Sequence, residues 1–492
     1  MTRYSHLITE ENAKWWTLGA MCFALFMVML DNTVVNVALP SIQRDLGTSI
    51  GELEWTINGY TLTFGVLLVT GGRLGDIFGR RLMFMTGVVI FAVTSATAGL
   101  AASPEMLVGS RIVQGVGAAL MMPATLSIIT NAFPPAERGK AIGTWAGVSA
   151  LALSIGPLVG GFLIEHVSWR AIFFMNLPVA AIAVVAALFA VRESRDRTIE
   201  RVIDYAGVAT LTVALTAIVL ALIEGNSWGW GSPGVLALFA GGTVMLAVFA
   251  AVELRGRAPM VEFEFFGERN FLGANAVAFV VTFAILGTFF FMAIYMQDVL
   301  GYSALGAGVR FLPTTMVIAV IAPLAGRLTD RIGPMWPMVT GLSILTVVMY
   351  MFSRIDPSTT YSDILLPFTL MGFGIALVMS PMSTAAMNAV SHQKAGIASG
   401  ILQMSRMIGG AVGVAATGAI FQAQLGAFDP AALATGGEAA RADFVQALSS
   451  AMEVAAVVAL VGALIALATI RGRPEHHAAP PEATAAEQQA PA

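Results

Sequence analysis

The chain has 492 residues, 57% of them hydrophobic and only 11% charged, less than half of the roughly 25% charge typical of soluble domains. With 26 Lys and Arg against 30 Asp and Glu, its formal net charge is −4, so nothing in the charge balance points to nucleic acid as a partner. A water-soluble globule is excluded, and lipid bilayer is the expected solvent.

Residues 1-14 are polar and lead directly into a long apolar segment with no small-residue cleavage site. They are read as a cytosolic N-terminal segment rather than a removable signal peptide. Runs of about 20 apolar residues, the length that crosses a ~30 Å hydrocarbon layer, then predict fourteen spans. They lie near 15-39, 53-72, 82-102, 106-130, 141-164, 170-191, 205-224, 233-253, 270-295, 307-326, 335-353, 362-386, 397-421 and 446-470. The lone cysteine, Cys22, sits in the first of them and excludes an intramolecular disulfide. Residues 471-492, rich in Ala, Pro, Glu and Gln, cannot bury enough apolar surface to fold and are expected to form a disordered cytosolic tail.

An even number of spans puts both termini on one side. Nineteen Lys and Arg fall in loops on that side and five on the other, which makes it cytosolic because basic residues near span ends resist translocation. The expectation is an all-α integral membrane protein with both termini cytosolic.

The chain also repeats itself. Gly72-Arg73-Leu74-Gly75-Asp76-Ile77-Phe78-Gly79 returns 254 positions later as Gly326-Arg327-Leu328-Thr329-Asp330-Arg331-Ile332-Gly333. Downstream the offset becomes 257, as one short loop indel would cause: Gly115, Gly139, Gly143 and Gly156 match Gly372, Gly396, Gly400 and Gly413. The copies are eight helices apart. This predicts a six-helix bundle (15-191), a basic cytosolic linker (192-204), two inserted helices without a counterpart (205-253), a second cytosolic linker (254-269) and another six-helix bundle (270-470). A duplicated membrane protein of this kind places its ligand site between the halves, near the bilayer midplane.

Within the spans, charge is expensive. Asp31 lies about 16 residues into the first span, roughly 24 Å from its cytosolic end, where an unpaired charge costs at least ~2.5 kcal/mol. Arg111 enters the fourth span from the opposite side and reaches a similar depth, so the two are candidates to pair. Burial favours a protonated Asp31 and Arg111 favours the carboxylate, so changing their separation changes proton affinity. A static ion pair is the competing reading. Ile285 stands 254 residues after Asp31, and the second half has no matching acid. Arg406 and Glu453 also lie deep in spans, as cavity-lining or as structural groups. Asp76 and Arg80 form an i,i+4 pair beside glycines that permit close helix approach. Gly156, Pro157, Gly160 and Gly161 place a helix breaker in the centre of the fifth span.

These residues, together with Leu30 to Pro40, Trp55 with Tyr60, Arg111 with Gln114 and Gly115, and Trp169-Arg170 with Phe173, Asn176 and Pro178, resemble the fourteen-helix drug:proton antiporter branch of the major facilitator superfamily. The resemblance covers nearly the whole chain. It implies that Gly72, Arg73, Gly75, Asp76, Gly79, Arg80 and Asp330 form a cytoplasmic gate in which the aspartate caps a helix of the other half. Thr329 in place of Gly75 and Pro334 in place of Arg80 leave the first copy to carry more of the gating energy. Gly156, Pro157, Gly160 and Gly161 match the family's antiporter motif. Asn36, Trp55, Asn58, Gln114, Phe291, Tyr295, Arg406 and Glu453 are its candidate cavity residues.

The implied activity is export of lipophilic, often cationic compounds by a monomer, driven by protons and needing no cofactor or metal. An exporter of one endogenous metabolite, lipid or peptide is the alternative, and a non-transporting scaffold or sensor a weaker one. The chain has no Gly-x-x-x-x-Gly-Lys-Ser/Thr loop for direct use of ATP. All five histidines fall in predicted loops or tails, which argues against a membrane enzyme.

Overall fold

The computed structural model describes residues 12–47, 50–195, 204–256, 263–302, 304–391, 394–425 and 437–471. The expected tail and much of both linkers lie outside the described residues, as do the side chains of Asn36 and Pro157.

Among the described residues there is no strand. The helices are α1 (Ala13–Leu46), α2 (Ile50–Phe78), α3 (Arg80–Gly99), α4 (Pro104–Ala132), α5 (Pro135–His166), α6 (Ala171–Phe174), α7 (Asn176–Ala190), α8 (Tyr205–Trp228) and α9 (Pro233–Arg255). They continue with α10 (Arg269–Ile294), α11 (Ala304–Arg310), α12 (Leu312–Ile332), α13 (Met335–Phe352), α14 (Tyr361–Asn388), α15 (Ala395–Leu425) and α16 (Gly437–Thr469). Thirteen segments are long and apolar enough to cross a bilayer, α6 and α7 together making one of them. The remaining long helix, α5, has 32 residues, with no charged residue between Ala141 and Ile164 in the sequence.

Local chemistry sets the helix starts. Ser103 and Ser232 accept from the backbone N–H of Met106 and Val235, each followed by proline at the first helical position, where its missing N–H costs nothing. Asp204 caps α8 through Gly207 N–H at 2.8 Å, and Thr360 with Asp363 forms a capping box on α14. The repeat reaches the backbone: Gly47 and Gly301, and Gly79 and Gly333, are two pairs 254 residues apart, all with positive φ. Gly79, at φ +121°, adopts a conformation that L side chains rarely take, and it alone separates α2 from α3.

Three boundaries differ from the sequence reading. The segment from Gly72 to Phe78, expected beyond the second span with Asp76 and Arg80 on a short helical turn, forms the last turns of α2, with Gly72 packed against Gly396 of α15. The span expected at 307-326 begins instead at Leu312 after a break at Phe311, and Pro313, which has no backbone N–H to give, starts the new helix. The sixth span is interrupted at Met175.

Helices α1 to α7 pack on one another, as do α10 and α12 to α16. The two sets meet mainly where α2 crosses α15 and α5 crosses α12, with further contact of α4 with α15 and α5 with α14. The pair α8–α9 packs on itself, and α8 also reaches α2 and α15. Trp336, Val347, Val457 and Leu464 exemplify the large apolar side chains left exposed on the outer helix faces, the side that meets lipid.

Candidate functional site

Two polar constellations are buried among these helices. The first joins five elements around Asp31 of α1. Arg111 of α4 donates from Nη1 to Asp31 Oδ2 at 2.6 Å, and both side chains are 1% exposed. Arg111 also donates from Nε to the Thr56 carbonyl of α2 at 3.1 Å and from Nη1 to Gln114 Oε1 at 2.8 Å. The amide nitrogens of Asn176 on α7 and Gln114 reach Asp31 Oδ1 at 2.9 and 3.4 Å. Asn176 further donates to Ser95 of α3 at 2.9 Å. The guanidinium carbon of Arg111 lies 4.2 Å from the Tyr60 ring centroid, a cation–π contact that supports the charge where water is scarce.

Donor and acceptor roles fit throughout. The carboxylate only accepts, the guanidinium only donates, and Gln114 turns its oxygen to the arginine and its nitrogen to the acid. The pairing of Asp31 with Arg111 follows from their depths. Asn176 was legible only as part of a quoted motif, and Gln114, taken as a cavity wall, is instead a bridge inside the cluster.

The second constellation is a contact between the two sets of helices that occurs twice. Asp76, fully buried near the end of α2, accepts from the backbone N–H of Gly396 and Ile397 at 3.0 and 2.9 Å, at the first turn of α15. At the equivalent place Asp330 of α12 accepts from Gly139 and Lys140 N–H of α5 at 2.9 and 3.1 Å. Asp76 thus neutralises the positive end of the α15 dipole in the other half, whereas Asp330 meets α5 at its second turn, past the four open N–H groups of its start. The copies are unequal. Asp76 is also held by Arg80 at 2.7 and 3.0 Å, whereas Pro334 occupies the matching place after Asp330. Glu193, which the sequence reading missed, caps α3 by accepting from the N–H of Arg81 and Leu82 at 3.0 and 3.1 Å. Arg138 donates to Asn388 across the halves at 2.8 Å.

Glycines make the crossings possible. A Cβ on Gly72 would meet the carbonyl of Gly396, and one on Gly396 the carbonyl of Gly72; Gly139 and Gly326 meet in the same reciprocal way. Gly326→Val is therefore expected to hold α5 and α12 apart and lower the melting temperature, from an overpacking cost of ~1–3 kcal/mol. Thermal melts of the purified variant against the parent check this.

The other candidates are dispersed. Gly156 and Gly160 of α5 pack on Thr33 and Val34 of α1, beside Asp31 in sequence, while a Cβ on Gly161 would meet nothing within 4 Å. Trp55 and Asn58 are partly exposed on α2. Phe291 and Tyr295 are buried in the second bundle, where the Tyr295 hydroxyl donates to the Thr359 carbonyl. Glu453 is exposed on α16 in one stripe with Val457, Leu460 and Leu464, away from the Asp31 cluster. Arg406 meets Gln403 on its own helix. No group of three or more metal-ligating His, Cys, Asp or Glu side chains occurs among the described residues.

At the C-terminal end of α1, Trp169 and Arg170 both donate to Asp45 Oδ2, at 2.9 and 2.5 Å. These bonds, that of Arg170 first, hold the Asp45 carboxyl below its ordinary 3.8. A lowered native value means that the clamp stabilises the fold above about pH 4 and fades as pH falls through the depressed value. The melting-temperature deficit of Asp45→Asn against the parent is expected to shrink below about pH 4, measurable by a pH series of melts.

The described residues thus form two sets of helices of membrane-crossing length, with ion pairs buried among them. Residues 21–414 match the Major Facilitator Superfamily profile, and the chain belongs to that family: it is a transporter, not an enzyme. The tetracenomycin C resistance and export protein of Streptomyces glaucescens is 33% identical over 94% of this chain and 93% of its own. The puromycin resistance protein of Streptomyces alboniger is 39% identical over 82% and 80%, and a multidrug resistance protein of Mycobacterium tuberculosis 36% over 84% and 76%. Among solved structures, the proton:xylose symporter XylE superposes with a TM-score of 0.66 over 94% of this chain and 97% of that one. Its 13% identity makes this a likeness of fold alone.

Proposed function

We propose that this protein is a proton-coupled exporter of the fourteen-helix antiporter branch, extruding lipophilic, often cationic drugs by alternating access. The observation that carries the reading is the sequestered Asp31–Arg111 pair, tied to five elements of one bundle. In this reading α5 is the fourteenth span, both termini are cytosolic, and the Asp76 and Asp330 contacts close the cytosolic side. Proton entry at Asp31 releases Arg111 and loosens the packing of α1 on α4; proton release restores it. The protein acts as a monomer in the plasma membrane, with the proton gradient as energy source and no cofactor.

The relatives named for drug resistance and export support this direction of transport. A driving force of about 150 mV supplies ~3.5 kcal/mol per charge moved, enough for a roughly 300-fold gradient. A second reading, a dedicated exporter of one endogenous compound, is favoured by relatives named for single products, such as the probable actinorhodin transporter of Streptomyces coelicolor.

In proteoliposomes an imposed pH difference should drive ethidium uphill, and a protonophore should stop it. Uphill movement that ignores the protonophore would contradict proton coupling. Competition by a panel of unrelated drugs separates the two substrate readings.

A further inference from the structure

Ser399, Gln403 and Arg406 stand at i, i+4 and i+7 on α15, one stripe of a helix. On one side of this stripe Gly396, Gly400 and Met407 meet Gly72, Leu68 and Gly65 of α2. On the other, Gly409 and Gly413 meet Phe279 and Phe283 of α10, and the Arg406 carbonyl accepts from Thr282 at 2.8 Å. The stripe therefore lies on the seam between the two bundles, since α2 belongs to one and α10 to the other.

Its hydrogen-bond inventory is one-sided. Arg406 Nη1 donates to Gln403 Oε1 at 3.0 Å, which occupies the acceptor of that amide. Gln403 Nε2, on a residue only 8% exposed, and the buried Ser399 hydroxyl have no hydrogen-bond partner among the described residues. Left over are amide, hydroxyl and guanidinium donors. Among the described residues Arg406 makes no ion pair, in contrast to Arg111 with Asp31. A cation at this depth beside buried unfilled donors calls for an anion with several acceptor lone pairs.

We propose that Ser399, Gln403 and Arg406 form a subsite for an acidic group, a carboxylate or phenolate, on the transported compound. The inference rests on the exporter reading and extends its substrate class from lipophilic cations to amphipathic acids. Arg406 supplies the charge and a planar fork, Gln403 orients that fork and adds an N–H, and Ser399 adds a hydroxyl.

The test is equilibrium binding of 9-anthracenecarboxylate and its neutral isostere 9-anthracenemethanol to the full purified chain in uncharged detergent, followed by dye fluorescence. The parent should bind the carboxylate at least about tenfold more tightly than the alcohol. Arg406→Gln should bring that ratio close to one without weakening the alcohol, Arg406→Lys should leave it intermediate, and Gln403→Met should lower it several-fold. Equal binding of the two dyes by the parent, or a ratio that survives Arg406→Gln, overturns the proposal. Where Arg406→Gln does not fold, an unchanged ratio in both Arg406→Lys and Gln403→Met overturns it as well. Binding needs no gradient, so the failures separate: loss of the exporter reading leaves the ratio standing without proton-driven flux, and loss of the subsite leaves ethidium flux with a ratio of one.

Discussion

Asp31→Asn is expected to collapse the steady-state ethidium gradient in energised vesicles from as much as ~300-fold to near unity, because it removes the group to which the proposed mechanism assigns the proton. The amide keeps the shape of the side chain and one acceptor, so Asn176 and Gln114 retain part of their bonding. What the variant loses is the counterion of Arg111, which stays buried against Tyr60. Breaking a buried pair from one side costs about 3–5 kcal/mol. A loss of transport could therefore reflect a weakened fold. The double variant Asp31→Asn with Arg111→Gln separates the causes: removing both charges should restore much of the melting temperature while transport stays absent. Recovery of transport in the double variant would show that the pair is structural.

Asp76→Asn is expected to shift the protein strongly away from the state closed at the gate, and further than Asp330→Asn does. Asp76 is fully buried, receives two N–H groups of α15 and holds Arg80. Asp330 receives two N–H groups of α5 but has no arginine at the equivalent place. A loss of about 3 kcal/mol in the closed state changes the closed-to-open ratio by roughly a hundredfold. Spin labels on Leu82→Cys and Trp336→Cys, exposed positions 254 residues apart on opposite halves, report the separation in a Cys22→Ala background. Asp76→Asn should populate a longer distance, and Asp330→Asn should do so less. Equal shifts would contradict the asymmetry inferred from Pro334.

Much of this architecture was legible in residues because bilayer physics leaves few options. Apolar runs fix helix positions, and the offset of 254 between Gly79 and Gly333 carries through to a shared positive φ. The depths of Asp31 and Arg111 along their spans anticipated the pair at 2.6 Å. Features that depend on rotation about a helix axis were not legible. Depth alone left Glu453 as a cavity candidate, but its neighbours at helical spacing are exposed apolar residues. Tyr295 was chosen from the helix that carries it, and that helix turns the ring into its own bundle. The second span was read as ending at Gly72 with a short helical turn beyond it, whereas α2 runs unbroken to Phe78. Which helix Gly72 approaches, the start of α15 at Gly396, was not legible either.

The central claim is that Asp31 exchanges a proton as the transporter works. Infrared difference spectra of the purified protein, recorded between alkaline and acidic pH, test it without knowledge of the substrate. A protonated-carboxyl band that grows on acidification in the parent and is missing in Asp31→Asn is the expected result. Identical difference spectra for parent and variant would contradict the account.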